Sequence, residues 1–211
     1  MNLPNKLSLL RIALIPVFVA FYFLPYAWSV YVAIGVFVAA AFTDFLDGYI
    51  ARKYNMVTDL GKLLDPIADK VLVTAALFCV VATNPLKFIA FDINKTTALP
   101  VFPMETHGMV MLTVCATLII ARELLISAMR QIAAAKGVVV QANIFGKVKT
   151  FLQDITLPLI ILMNIGQYDV ASTQFLTILG VVCYVMLALT LVATILSGVI
   201  YLVRNKSVFA E

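Results

Sequence analysis

Asp44 and Asp47 stand three residues apart, and Asp65 and Asp69 four apart. On an α-helix these spacings separate side chains by roughly 40–60°, so each pair shares one helix face. Like charges held so close repel, and a divalent cation between them removes the repulsion. Ligands that are all oxygen point to magnesium or manganese rather than zinc. One or two such ions would suit phosphoryl transfer, where they neutralise phosphate oxygens and the charge that develops on them. The chemistry also needs a base for the attacking hydroxyl, and spacing does not say which aspartate supplies it. The plainer alternative is four carboxylates paired with Arg52, Lys62 and Lys70 at a membrane surface. It leaves the paired spacing and the neighbouring Gly48 and Gly61 without a reason.

The elements that must position these groups lie in an apolar chain. It has 211 residues, 63% of them hydrophobic and 12% charged, with a mean hydropathy of +1.04. A water-soluble core of this size cannot bury so much apolar surface, so the composition predicts an all-α integral membrane protein with one domain over residues 1–211. Five of the eleven acidic residues nevertheless fall between Asp44 and Lys70. Cys79, Cys115 and Cys183 lie inside apolar stretches and read as small core residues, not as a disulfide framework or a zinc site. The single histidine, His107, is a weak candidate for metal ligation on its own. Residues 7–24 carry Arg11 and lack a small-residue cleavage site, so they read as a first membrane helix and not as a cleavable signal.

Hydrophobic runs predict six spans, over 7–25, 30–54, 63–83, 108–135, 147–166 and 174–203. The uncharged part of the third, Val71–Thr83, would cover only about 20 Å at 1.5 Å per residue. The helix must therefore reach back through Asp69 and Asp65, which places the carboxylates at or just inside one membrane face. Pro66 either opens this helix or kinks it. A tight turn around Asn55–Asp59 would make a hairpin that sets Asp44 and Asp47 opposite Asp65 and Asp69. With six spans both termini share a side. Thirteen of the fifteen Lys and Arg residues fall on that side or in the adjoining helix ends; only Lys87 and Lys95 fall opposite. The bias predicts cytoplasmic termini and an aspartate site facing the cytoplasm. Tyr22, Tyr26 and Trp28, at the far end of the first hairpin, suit an aromatic belt. Basic clusters in such a chain suit lipid headgroups and phosphates, not nucleic acid.

Read together, Asp44-x2-Asp47-Gly48-x2-Ala51-Arg52-x8-Gly61-x3-Asp65-x3-Asp69 resembles the signature of the CDP-alcohol phosphotransferase family, with every motif position matched. The resemblance implies transfer of a phosphoryl-linked alcohol from a CDP carrier to a second alcohol. It implies Asp44, Asp47 and Asp65 as ligands of one or two Mg²⁺ or Mn²⁺ ions, and Asp69 as general base, also near a metal. Gly48, Ala51, Arg52 and Gly61 would line the CDP pocket, although small residues in membrane helices also serve close packing. A homodimer in the cell membrane is implied as well.

A second constellation, Arg122-Glu123, Arg130, Lys147, Lys149 and Gln153, interrupts the fourth and fifth apolar runs. Charges there are functional candidates. One reading is local neutralisation of Arg122 by Glu123, with Lys147 and Lys149 as cytoplasmic anchors. The other is a cationic cup of Arg122, Arg130, Lys147 and Lys149 for a phosphate on the acceptor. The opening NLPNKLSLLRIALIP, the AREL of residues 121–124 and GKVKT with Gln153 resemble the branch of the family whose acceptor is sn-glycerol 3-phosphate. That narrower resemblance implies CDP-diacylglycerol as donor, adds Asn5 to the CDP-binding set and adds Arg11 to the acceptor-phosphate set. Asn5 reads equally as a helix cap. Siblings taking inositol phosphate, serine or phosphatidylglycerol stay open. A transporter with cation-binding aspartates would need carboxylates at mid-membrane and repeated halves, and neither is visible.

Overall fold

The computed structural model describes residues 3–53, 59–88, 104–136, 144–168 and 170–204; the side chains at 3, 4, 44, 45, 47–53, 59–66, 69, 88, 104–106 and 135 fall outside that description. Every regular element among the described residues is helical. In order they are α1 (Leu3–Phe23), α2 (Ala27–Lys53), α3 (Asp59–Thr83), α4 (Met104–Ala135), α5 (Ile144–Leu162) and α6 (Thr173–Arg204), with single 3₁₀ turns at Pro85–Phe88 and Met163–Tyr168. The helices start up to four residues earlier than the apolar runs predict, because polar residues continue the first turns. The predicted fifth span divides: its end is the tighter 3₁₀ turn, not α-helix. Pro66 lies within α3 and does not open it. Of the expected Asn55–Asp59 turn, residues 54–58 lie outside the described residues and Asp59 begins α3.

Local chemistry ends the helices. Asn84 adopts a left-handed φ of 44°, accepted more readily by asparagine than by most residues, and its N–H bonds the Val80 carbonyl at 3.0 Å. Ser172 caps α6, its Oγ accepting the Phe175 N–H at 3.3 Å. Between α1 and α2, Ser29 Oγ donates to the carbonyls of Leu24 and Tyr26.

Among the described residues five stretches are long and apolar enough to cross a membrane: Asn5–Phe23, Lys70–Lys87, His107–Ala134, Ile144–Tyr168 and Thr173–Arg204. The apolar part of α2, Ala27–Thr43, is shorter. The helices pack on buried stripes at three- and four-residue intervals: Ile15, Phe18 and Tyr22 on α1, and Val30, Ala33, Phe37 and Ala40 on α2. α1 packs on α2 and α3, α4 on α3 and α6, α5 on α6 and α2. Outward-facing side chains are large and apolar too, Phe78 and Val203 each 63% exposed, as suits a surface solvated by hydrocarbon.

With lipid on the outside, packing and hydrogen bonds hold such a bundle. Thr156 on α5 and Thr190 on α6 meet Oγ1 to Oγ1 at 2.9 Å. At one end of the bundle, the Tyr22 hydroxyl meets Thr83 Oγ1 at 2.7 Å and the Tyr168 hydroxyl donates to the Leu24 carbonyl at 3.0 Å. This corrects part of the expected aromatic belt. Tyr26 and Trp28 are exposed and stacked on each other, but Tyr22 turns inward, because its hydroxyl has a partner on α3 and its ring packs on Phe18.

Candidate active site

At the opposite end of the bundle a pocket opens between α3, α4 and α5. It is lined by Lys70, Val73 and Thr74 from α3, by Ile119, Ile120, Glu123 and Leu124 from α4, and by Lys149, Thr150 and Gln153 from α5. Each set runs in steps of one and three residues within about one and a half turns, so each helix turns one face to the pocket. Apolar walls around a few charged groups are the usual build of a small-molecule site.

Glu123 organises the charges. Its Oε1 accepts from Arg122 Nη1 and from Lys149 Nζ, both at 2.8 Å. Both readings of the second constellation therefore meet in one feature. Glu123 does neutralise Arg122, yet the same oxygen draws in Lys149, which is buried and is no surface anchor. Lys70 reaches across from α3 and donates to Ser127 Oγ; that hydroxyl in turn donates to the Glu123 carbonyl at 2.7 Å. Two cations thus share one carboxylate oxygen, and a third, Lys70, lines the same pocket. Gly198 and Gly146 leave room for Arg122. A Cβ at Gly198 would stand 3.4 Å from Arg122 Cγ, and one at Gly146 would stand 3.6 Å from Nη2. Gln153, one turn along α5 from Lys149, is buried with no hydrogen-bond partner for Oε1.

The other expected site residues are distributed as follows. Lys147 is exposed on α5, outside the pocket lining. Arg130 lies over the ring of Tyr201, 5.8 Å from its centroid, beside buried Ile126 and Met129. Asn5 lies inside α1, not at its cap, and with Ser8 and Arg11 forms a buried polar face that continues into Ile15 and Phe18. Arg11 is fully buried. Asp44, Asp47, Gly48, Ala51 and Arg52 are carried by α2, and Gly61, Asp65 and Asp69 by α3. Their side chains lie outside the described residues. Among the described residues no three His, Cys, Asp or Glu side chains gather as a metal site. The donor set offered by the two helices, four carboxylates without His or Cys, suits a hard divalent cation. Lys70, lining the pocket, follows Asp69 directly in sequence.

Lys70, which the sequence offers only as an ion-pair partner of the carboxylates, and Gln153, which it names only in the second constellation without a role of its own, both line the pocket. The four-residue step from Lys149 to Gln153 is the signal that could have placed Gln153 there.

The fold and pocket define a polytopic helical bundle that gathers basic side chains beside an aspartate-rich helix pair. The model of the CDP-alcohol phosphatidyltransferase family matches residues 1–196. The chain is 37% identical over 186 residues to a Bacillus subtilis protein named CDP-diacylglycerol–glycerol-3-phosphate 3-phosphatidyltransferase, covering 82% of this chain and 83% of that one. It is 34% identical over 208 residues to a protein of the same name from Rickettsia bellii, covering 99% and 97%. A third protein of that name, from Salmonella typhimurium, is 37% identical over 158 residues, 74% of each chain. The chain belongs to the CDP-alcohol phosphatidyltransferase family and is a phosphatidyltransferase.

Proposed function

We propose that this enzyme transfers the phosphatidyl group of CDP-diacylglycerol to sn-glycerol 3-phosphate, giving phosphatidylglycerophosphate and CMP. The observation that carries the reading is buried Lys149, which shares Glu123 with Arg122 and lines a pocket together with Lys70, the residue that follows Asp69 in sequence. One carboxylate between two cations leaves a net positive charge, which an acceptor bearing a phosphate balances; serine or a neutral alcohol does not. The names of the relatives agree.

In this reading Arg122 and Lys149, with Lys70, hold the acceptor phosphate, and Arg130, Lys147 and Arg11 supply longer-range attraction. Gly48, Ala51, Arg52, Gly61 and Asn5 hold the CDP moiety. Asp69 takes the proton of the acceptor hydroxyl. That oxygen forms a bond to the phosphorus carrying the diacylglycerol, and the bond from this phosphorus to the CMP oxygen breaks. Asp44, Asp47, Asp65 and Asp69 would hold one or two Mg²⁺ or Mn²⁺ ions, which supply charge neutralisation to the phosphates. The whole chain, 1–211, acts as one membrane domain with six spans. The distribution of basic residues supports cytoplasmic termini and a cytoplasm-facing site in the cell membrane. A homodimer follows from the family resemblance.

The test is CMP release by purified protein with CDP-diacylglycerol and Mg²⁺, offering glycerol 3-phosphate, inositol 1-phosphate, serine, inositol and phosphatidylglycerol one at a time. Release with glycerol 3-phosphate alone, lost on chelation, is the expected result. Release with a different acceptor would keep the chemistry and overturn the substrate. No release with any acceptor would overturn the proposed reaction.

A further inference from the structure

Gln153 differs from every other polar group lining the pocket. Its side chain is only 3% exposed, it faces the same space as Lys149, and its Oε1 accepts no hydrogen bond. Buried amide oxygens are almost always paired, so an open one inside a pocket marks a place for a ligand's donor. A phosphate cannot fill it, since phosphate oxygens seek donors and not another acceptor. The cations around Glu123 want an anion, and Gln153 wants a hydroxyl or N–H. The two demands are close: Lys149 and Gln153, four apart on α5, stand about 6 Å apart at Cβ. A ligand meeting both carries a hydroxyl next to its phosphate ester.

We infer that Gln153 is a specificity-determining residue that recognises the acceptor hydroxyl which does not react. This rests on the glycerol 3-phosphate reading. With the phosphate on Lys149 and Arg122 and the primary hydroxyl turned to Asp69, the secondary hydroxyl donates to Gln153 Oε1. Gln153 then sets which polyol phosphates are accepted and has no part in moving the proton.

The experiment compares sn-glycerol 3-phosphate with 3-hydroxypropyl phosphate, which keeps the phosphate and the primary hydroxyl and lacks only the secondary one. CMP release is followed for the wild type, Gln153→Leu and Gln153→Met. The wild type should use the analogue about 10- to 100-fold less well in kcat/KM, as expected when a buried acceptor is left unpaired. Both variants should lose activity with glycerol 3-phosphate while keeping that with the analogue, so that the ratio approaches one. Equal use of both acceptors by the wild type would overturn the inference and leave the proposed function standing. So would an equal loss with both acceptors in the variants, the mark of a purely structural glutamine. A wild type inactive with glycerol 3-phosphate would overturn the proposed function itself. The wild-type ratio needs no variant to fold.

Discussion

Lys149 on α5 donates its ammonium to Glu123 on α4 at 2.8 Å, and the lysine side chain is 2% exposed while the glutamate is 25% exposed. The pair is therefore asymmetric. Removing Glu123 takes from buried Lys149 its 2.8 Å ion pair, whereas removing Lys149 leaves Glu123 still paired with Arg122. Breaking a buried pair by deleting one partner costs about 3–5 kcal/mol. Glu123→Ala should lower stability by that order, read as earlier thermal unfolding in detergent. Lys149→Met, which keeps the apolar stem, should cost much less.

The same lysine is expected to matter for the acceptor and not for the donor. A charge-assisted hydrogen bond contributes about 1.5–3 kcal/mol. Lys149→Met and Arg122→Ala should each raise the apparent KM for glycerol 3-phosphate roughly 10- to 100-fold by that measure. Binding of CDP-diacylglycerol should be unchanged in both. Unaltered acceptor kinetics would sink the phosphate assignment.

Asp69→Asn keeps the size of the side chain and removes its basicity. Loss of a general base costs about 10²–10⁴ in rate. Turnover should fall by at least the lower figure while CDP-diacylglycerol still binds. Chelation of the wild type should abolish CMP release, and added Mg²⁺ should restore it.

Two glycines give opposite expectations for the same substitution. A Cβ at Gly108 would stand 2.9 Å from Asn84 Oδ1 and 3.2 Å from Leu86 Cβ, pressing α4 against the turn that follows α3. Gly108→Ala should destabilise by about 1–3 kcal/mol, the usual cost of overpacking. A Cβ at Gly35 would meet nothing within 4 Å. Gly35→Ala should be neutral or stabilise by up to about 1 kcal/mol through helix propensity. Thermal unfolding of the two variants side by side checks both.

The Thr156–Thr190 contact is the control for buried polarity without function. Each hydroxyl, with one proton to give, also lies within hydrogen-bond distance of a carbonyl of its own helix, so each keeps a partner when the other is removed. Interhelical hydrogen bonds in membranes average about 0.6 kcal/mol. Thr156→Val should cost about that and leave CMP release unchanged; a large loss of activity would mean that the α5–α6 seam takes part in the chemistry.

The six helices were legible because hydropathy reports length and apolarity, and both act over whole segments. Their first turns were not, since residues such as Asn5 and Asp59 carry no apolar signal yet continue the helix. Arg122 and Lys149 stood out as charges in apolar runs, but their meeting point did not. Oε1 of Glu123 joins residues 26 apart in sequence, and that depends on how α4 and α5 cross. Tyr22 misled for the same reason. An aromatic near a helix end fits an interfacial belt until its partner, Thr83 on another helix, is known. Gln153 is uncharged, so hydropathy gives it no role; the sequence names it only beside GKVKT, and its open oxygen in the pocket is visible only in the structure.

The burial of Cys79, Cys115 and Cys183 has a practical consequence. None of the three native thiols is presented to an aqueous reagent, so the natural sequence is already a silent background for site-directed labelling. A cysteine introduced at Lys147, by the pocket end, or at Lys87, by the Tyr22–Thr83 end, would be the single reactive thiol in the chain. Membrane-impermeant maleimide applied to intact cells and to inverted vesicles would then report which end of the bundle faces which compartment.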